Sequence, residues 1–116
     1  MLFVCVLCEL LDVLYADMVI QYIKMKCRKT IVPLGGVYAT PGVISEVSSG
    51  ERLAALARHC QCDWGDCCPD DWQANDEALN EKLRLFSVYK DSKGVKFWII
   101  TEADRSATTI LLPDEY

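Results

Sequence analysis

Basic charge is scarce in this chain of 116 residues. Twelve Lys and Arg stand against seventeen Asp and Glu, for a net charge of −5 with the single histidine neutral. No broad basic face for phosphate contacts follows from such a balance, so direct nucleic-acid binding is not the expectation. Glycine and proline are also few, six and four, while 52% of residues are apolar and 25% charged, which excludes collagen-like, low-complexity and disordered classes. At this length the chain has room for one core, and a two-domain enzyme is excluded. Long hydrophobic runs are missing too: the longest, Leu2 to Cys8, is far short of the roughly twenty residues of a membrane span. Glu9, Asp12 and Asp17 would each cost about 2.5 to 3.5 kcal/mol in a bilayer. No basic residue precedes that stretch and no small-x-small site follows it, so a secretory signal fits badly and cytoplasmic residence is expected.

Residues 1 to 30 then read in one of two ways. On a helix, Glu9, Asp12, Asp17 and Lys24 share an arc of roughly 140°, with Leu7, Leu10, Leu11, Leu14 and Met18 opposite, an amphipathic pattern. Alternatively the gene start is mis-called, with Met18 or Met25 as the true beginning. Residues 1 to 24 are expected to be dispensable, because residues 31 to 116 form a single domain with its own core. That core is expected to hold Leu53, Leu56, Leu79, Leu85, Val88, Phe97, Trp98, Ile99, Ile100, Ile110, Leu111 and Leu112.

Within 31 to 116, Ile31 to Ala39 is apolar but broken by Pro33 and Gly35-Gly36, which suits an edge strand or an extended lead-in with a bulge. Thr40-Pro41 reads as the N-cap and first residue of a short helix over Val43 to Val47. Ser49 can cap a helix over Glu51 to His59, with Leu53, Leu56 and Ala57 inward and Glu51, Arg52 and Arg58 outward. Cys60 to Pro69 is a structured loop. A helix over Asp70 to Glu81 follows, with Leu79 and Leu83 as its inward stripe. Leu85 to Lys90 and Val95 to Thr101 form a hairpin around Asp91-Ser92-Lys93-Gly94, and Ala107 to Leu112 is a further strand ended by Pro113. The class is α+β: two to four helices followed by a three- or four-stranded antiparallel meander.

Seven cysteines are many for this length, and His59, Cys60, Cys62, Cys67 and Cys68 crowd one stretch. Their spacings, HC-x-C and an adjacent CC, do not match paired zinc knuckles, so no metal and no cofactor is expected. His59 is the only base for a thiol nucleophile, and adjacency to Cys60 points the two about 100° apart on a helix. From Asp63 to Glu81 there are seven acids and no Lys or Arg. This is either a solvated helix face or a surface for a basic protein, such as one that otherwise handles nucleic acid. The candidate binding set is Asp63, Trp64, Asp66, Asp70, Asp71, Trp72, Asn75 and Asp76, with the tryptophans suiting a core at least as well as an interface. Between the last strands, Glu102 is a candidate general base and Arg105 a candidate phosphate-binding residue; the structural alternative is a tight connection with an internal acid–Arg pair.

Pro33-Leu34-Gly35, Ala39-Thr40-Pro41-Gly42, Asp63-Trp64-Gly65, Asn75-Asp76-x-Ala78-Leu79 and the closing FWIITEADRSATTILLPDEY of residues 97 to 116 together resemble a family of short bacterial proteins. These occur on plasmids and other mobile elements and are labelled plasmid-related or type I restriction endonuclease subunit M. The resemblance runs over residues 32 to 116. It does not imply methyl transfer, since the chain has no Asn-Pro-Pro-Tyr-like motif and no room for a cofactor-binding domain. Residues 1 to 30 have no counterpart in that pattern, and the stretch at Arg58 to Trp64 reads His-x-x-Gly-Asp-Trp-Gly there, without the cysteines. The order of elements is also similar, at fold level, to small ribonucleases and toxins of the barnase and RelE kind. The leading expectation is a non-enzymatic accessory or interaction protein of a bacterial mobile element, acting through its acidic, tryptophan-bearing surface. The alternatives are a small ribonuclease using Glu102 and Arg105, or an acidic DNA mimic directed at a restriction or CRISPR complex.

Overall fold

The computed structural model describes residues 32–116, so the expectations for residues 1 to 30 lie outside the described part. Strand β1 spans Gly36–Ala39, helices α1, α2 and α3 span Pro41–Glu46, Ser49–Cys60 and Pro69–Glu81, and strands β2, β3 and β4 span Leu85–Lys90, Lys96–Thr101 and Ala107–Leu111. A 3-10 turn over Pro113–Glu115 closes the chain. The α+β class holds, and no helix among the described residues is long and apolar enough to cross a membrane.

The sheet is mixed, in the order β1-β4-β3-β2, rather than a purely antiparallel meander. Strands β2, β3 and β4 are antiparallel as expected, but β1 lies parallel to β4, with Gly36 opposite Ala107 and Ala39 opposite Ile110. The reason is local. Thr40-Pro41 sends β1 straight into a helix, so β1 has no hairpin partner and must take whatever sheet edge remains open. The β2 edge is closed: Phe86 N donates to Asn75 Oδ1 at 2.9 Å, Asn75 Nδ2 donates to Phe86 O at 2.6 Å, and Val88 N and O are bonded by Trp64 O and Asp66 N. Only β4 is left.

All the sheet residues of the main core cluster come from one face: Val37, Ala39, Leu85, Tyr89, Phe97, Ile99 and Ile110, packed with Val43 of α1, Val47 at its end, Leu56 of α2 and Ala78 of α3. Leu56, Leu85, Phe97, Ile99, Ile100, Ile110 and Leu111 are buried as the sequence predicts, whereas Leu53, Leu79, Val88, Trp98 and Leu112 are half-buried. Two helix faces differ from expectation. Helix α2 is capped by Ser48, whose Oγ accepts from Glu51 N, and it buries Arg52, Ala55, Leu56, His59 and Cys60, so Arg52 lies inside. Helix α3 buries Asn75 and Ala78, while Leu83, beyond its end, is 51% exposed. Lys82 at φ 53 turns the chain in the left-handed region at the end of α3, which swings Leu83 off the inward stripe.

The hairpin turn is built by Asp91, whose Oδ1 accepts from Lys93 N at 2.9 Å and Val95 N at 2.8 Å, with Gly94 at φ +85. At the other end Glu115 ties the last turn to the first helix: its carboxylate accepts from Thr40 Oγ1, from Gly42 N at 2.9 Å and from Leu112 N at 3.2 Å. Burial works against this charge, but these donors hold its pKa below the ordinary glutamate value. Because the folded pKa is depressed, the stabilisation is present above the unfolded value and is lost as pH falls through the folded one. Glu115→Gln is therefore expected to lower the thermal midpoint at pH 7 and to narrow its gap from the parent chain near pH 3, read from paired melting curves.

Candidate functional site

His59 is fully buried near the end of α2, at the centre of a chain of side-chain hydrogen bonds that crosses the sheet. Nδ1 meets Ser87 Oγ of β2, Nε2 meets Thr101 Oγ1 of β3 at 2.8 Å, Thr101 Oγ1 meets Thr108 Oγ1 of β4 at 2.8 Å, and Thr108 Oγ1 meets Leu34 O at 2.8 Å. The last acceptor fixes the direction. A carbonyl can only accept, so Thr108 donates to Leu34, Thr101 donates to Thr108, and His59 Nε2–H donates to Thr101. Nδ1 then accepts from Ser87, and every polar atom of the neutral ring is satisfied. Burial, and secondarily the charge of Arg105, push the imidazole pKa down to about 3. Ser87, Thr101 and Thr108 are each 0% exposed, so the chain does not meet solvent-borne substrate. It joins α2, three strands and the segment before β1.

Trp64 stands beside it. Its ring meets His59 edge-on at a centroid distance of 5.4 Å, it is 0% exposed, and its Nε1 donates to Asp76 Oδ1 at 2.9 Å. Asn75 is buried against the β2 edge. Trp64 and Asn75 are thus inside the fold, and Trp72 is half-buried against the core. Asp63 pairs with Arg58 at 2.8 Å, which holds its carboxyl below the ordinary range. Asp66, Asp70, Asp71 and Asp76 are exposed, as are Glu77 and Glu81. The exposed acids thus lie along α3 and its leading loop, with Asp71 and Asp76 about 140° apart around the helix axis, while Trp64 is inside the fold and Trp72 half-buried.

The late loop is the expected tight connection, closed by Glu102 N to Ala107 O and by Arg105 N to Glu102 O, both at 2.9 Å, but its charged side chains pair differently. Arg105 donates through Nη1 to Leu83 O at 2.6 Å and Glu102 O at 3.1 Å, and through Nη2 to Ala78 O at 3.0 Å. It satisfies carbonyls at the end of α3, where a cation also meets the negative pole of the helix. Glu102 pairs with Arg84 at 3.0 Å, so the internal Glu–Arg pair expected within residues 101 to 109 does not form. Asp104 instead accepts from Ser106 N and Oγ.

Among the described residues no group of three or more His, Cys, Asp and Glu is placed to hold a metal ion. Cys67 donates to Phe86 O at 3.3 Å, and burial raises its pKa, which disfavours the thiolate. Cys62 sits at φ 65, in the left-handed region that favours glycine. Cys62→Gly is accordingly expected to raise stability by up to about 1 kcal/mol, seen as a higher urea midpoint with an unchanged slope. The buried network itself escaped sequence reasoning because its hydroxyls come from three strands; the one available signal was a lone histidine on the inward side of an amphipathic helix. No family model matches the chain, and neither a curated protein nor a solved structure matches it.

Proposed function

We propose that the protein is a non-enzymatic interaction module, an accessory of a bacterial mobile element, that presents the acidic side of α3 to a basic protein surface. The observation that carries this reading is that Asp66, Asp70, Asp71, Asp76, Glu77 and Glu81 are all exposed and none is in an ion pair with a described residue. Six carboxylates held on one element and its leading loop attract a basic partner and steer its approach. The side chains with catalytic chemistry are meanwhile committed elsewhere: His59 is sealed, Arg105 is bound to carbonyls and Glu102 to Arg84.

A photo-reactive residue placed at Gln73, on the exposed side of α3, is expected to give a cross-linked product in cells. The product should disappear when Asp70, Asp71 and Glu77 are replaced by Asn, Asn and Gln, and the cross-linked peptide should be rich in Lys or Arg. A product that survives this neutralisation overturns the reading. The ribonuclease alternative is tested with purified protein and RNA: cleavage abolished by Glu102→Ala without loss of fold would sink the proposal.

A further inference from the structure

The face of the sheet turned away from the main core is built differently from the rest of the molecule. Alternation along the strands places Phe86, Val88 and Lys90 of β2, Lys96, Trp98 and Ile100 of β3, Thr109 and Leu111 of β4 and Tyr38 of β1 on it. Ile100 and Leu111 are buried at its floor, and neither belongs to the main core cluster. Above them runs an aromatic row. Phe86 meets Trp98 edge-on at 4.9 Å, Trp98 meets Tyr116 at 5.9 Å, and Tyr116 is 66% exposed as a residue.

At the hairpin end of this face, Lys90 and Lys96 are directly opposite one another. The backbone groups of Phe86 and Val88 point to the outer edge of β2, so by alternation Lys90 and Lys96 form a non-hydrogen-bonded pair, the arrangement with the closest side chains. Like charges so placed repel, and both ammonium groups are exposed with no ion pair among the described residues. An anion between them removes that penalty. The acids of α3 lie beyond the β2 edge, Asp91 next to Lys90 is buried with its Oδ1 accepting from Lys93 N and Val95 N within the turn, and Glu102 at the far end of β3 is paired with Arg84, which also lies 5.8 Å over the Tyr116 ring. Paired cations beside accessible aromatic rings are the two elements of single-strand recognition, charge for the backbone and π-faces for the bases.

We propose that this face holds a single-stranded oligonucleotide, with a backbone phosphate between Lys90 and Lys96 and a base against the Trp98–Tyr116 pair. The site is separate from the acidic surface of α3 and does not depend on it. The bases stack where the aromatic row is open, and the negative charge elsewhere on the protein confines the strand to this face.

The test is titration of the full chain with hexauridylate at low salt, followed by fluorescence anisotropy and by amide chemical shifts. Binding is expected, with shifts confined to β2, β3, β4 and the C-terminal turn. Replacing both lysines, Lys90→Gln with Lys96→Gln, should weaken it at least about tenfold and reduce the salt slope by about 0.7, the value for the loss of one phosphate contact to a single strand. Tyr116→Ala, at an exposed position, should weaken it about fivefold or more through lost stacking. The inference is overturned if hexauridylate does not bind, if inorganic polyphosphate of equal charge competes as well as the oligonucleotide, if the double lysine variant binds unchanged, or if the shifts fall on other surfaces.

Discussion

Trp64→Ala is expected to destabilise the domain by about 3 to 5 kcal/mol, the range for removing a fully buried aromatic ring. Trp64 is 0% exposed, packs edge-on against His59 and hands its indole N–H to Asp76. Its truncation opens a cavity under α2 and frees the segment that closes the β2 edge, since Trp64 O accepts from Val88 N at 3.2 Å and the neighbouring Asp66 N donates to Val88 O at 2.7 Å. Gly65, between them, is at φ +70 and so close to the Val88 carbonyl that a Cβ there would press into it, so the segment is packed directly on the β2 edge. Against a typical domain stability of about 5 to 15 kcal/mol, the variant should melt tens of degrees lower. Differential scanning calorimetry checks this. A fall of only a few degrees would show that the ring is not the centre of the core.

His59→Leu is expected to cost about 2 to 4 kcal/mol despite replacing a polar side chain with an apolar one of similar size. The loss comes from the neighbours. Ser87 Oγ–H would have no acceptor at Nδ1, Thr101 would lose its donor, and both sit at 0% exposure with no access to water, at roughly 1 to 3 kcal/mol for each orphaned group. The quadruple variant His59→Leu, Ser87→Ala, Thr101→Val and Thr108→Val removes the partners together and should recover much of the deficit, apart from the unbonded Leu34 carbonyl. Urea unfolding of the single and quadruple variants separates a polar network from simple packing.

The same histidine sets an acid limit. Its folded pKa of about 3 lies below the ordinary value of 6.5, so the unfolded chain binds the proton more tightly. The contribution is complete above pH 6.5, declines as pH falls from 6.5 towards 3, and is absent below that. The parent chain should therefore lose stability in a window that starts well above the carboxylate range, and His59→Leu should remove that part of the profile.

What the sequence made legible was everything with a short range. The hairpin announced itself through Asp91 to Gly94 between two β-branched and aromatic runs, the helix over 69 to 81 through Pro69 and its first-turn acids, and β1 through its apolar but interrupted composition. Several failures share a cause: the strand that β1 joins and the roles of Asn75 and Arg105 depend on residues eleven to about seventy positions away, which no local pattern encodes. Asn75 looks like an ordinary polar helix residue until its amide is seen acting as a strand against Phe86, and Arg105 looks like a phosphate ligand until the end of α3 is placed beside it. For the candidate site, the acidic stretch was readable from composition alone, whereas the division of its tryptophans between core and surface was not.

The parallel pairing of β1 with β4 also orders events in time. Joining Gly36 to Ala107 closes a loop of about seventy residues, whereas the β2–β3–β4 meander closes through connections of only a few. The meander is thus the element that can form early, and β1, although synthesised first, is the last strand to be seated. During translation the amino-terminal third of the domain must wait, with Val37 and Ala39 unburied, until β4 has emerged. The sheet consequently cannot be completed before Leu111 has been synthesised, and β1 is open to chaperones and proteases until then.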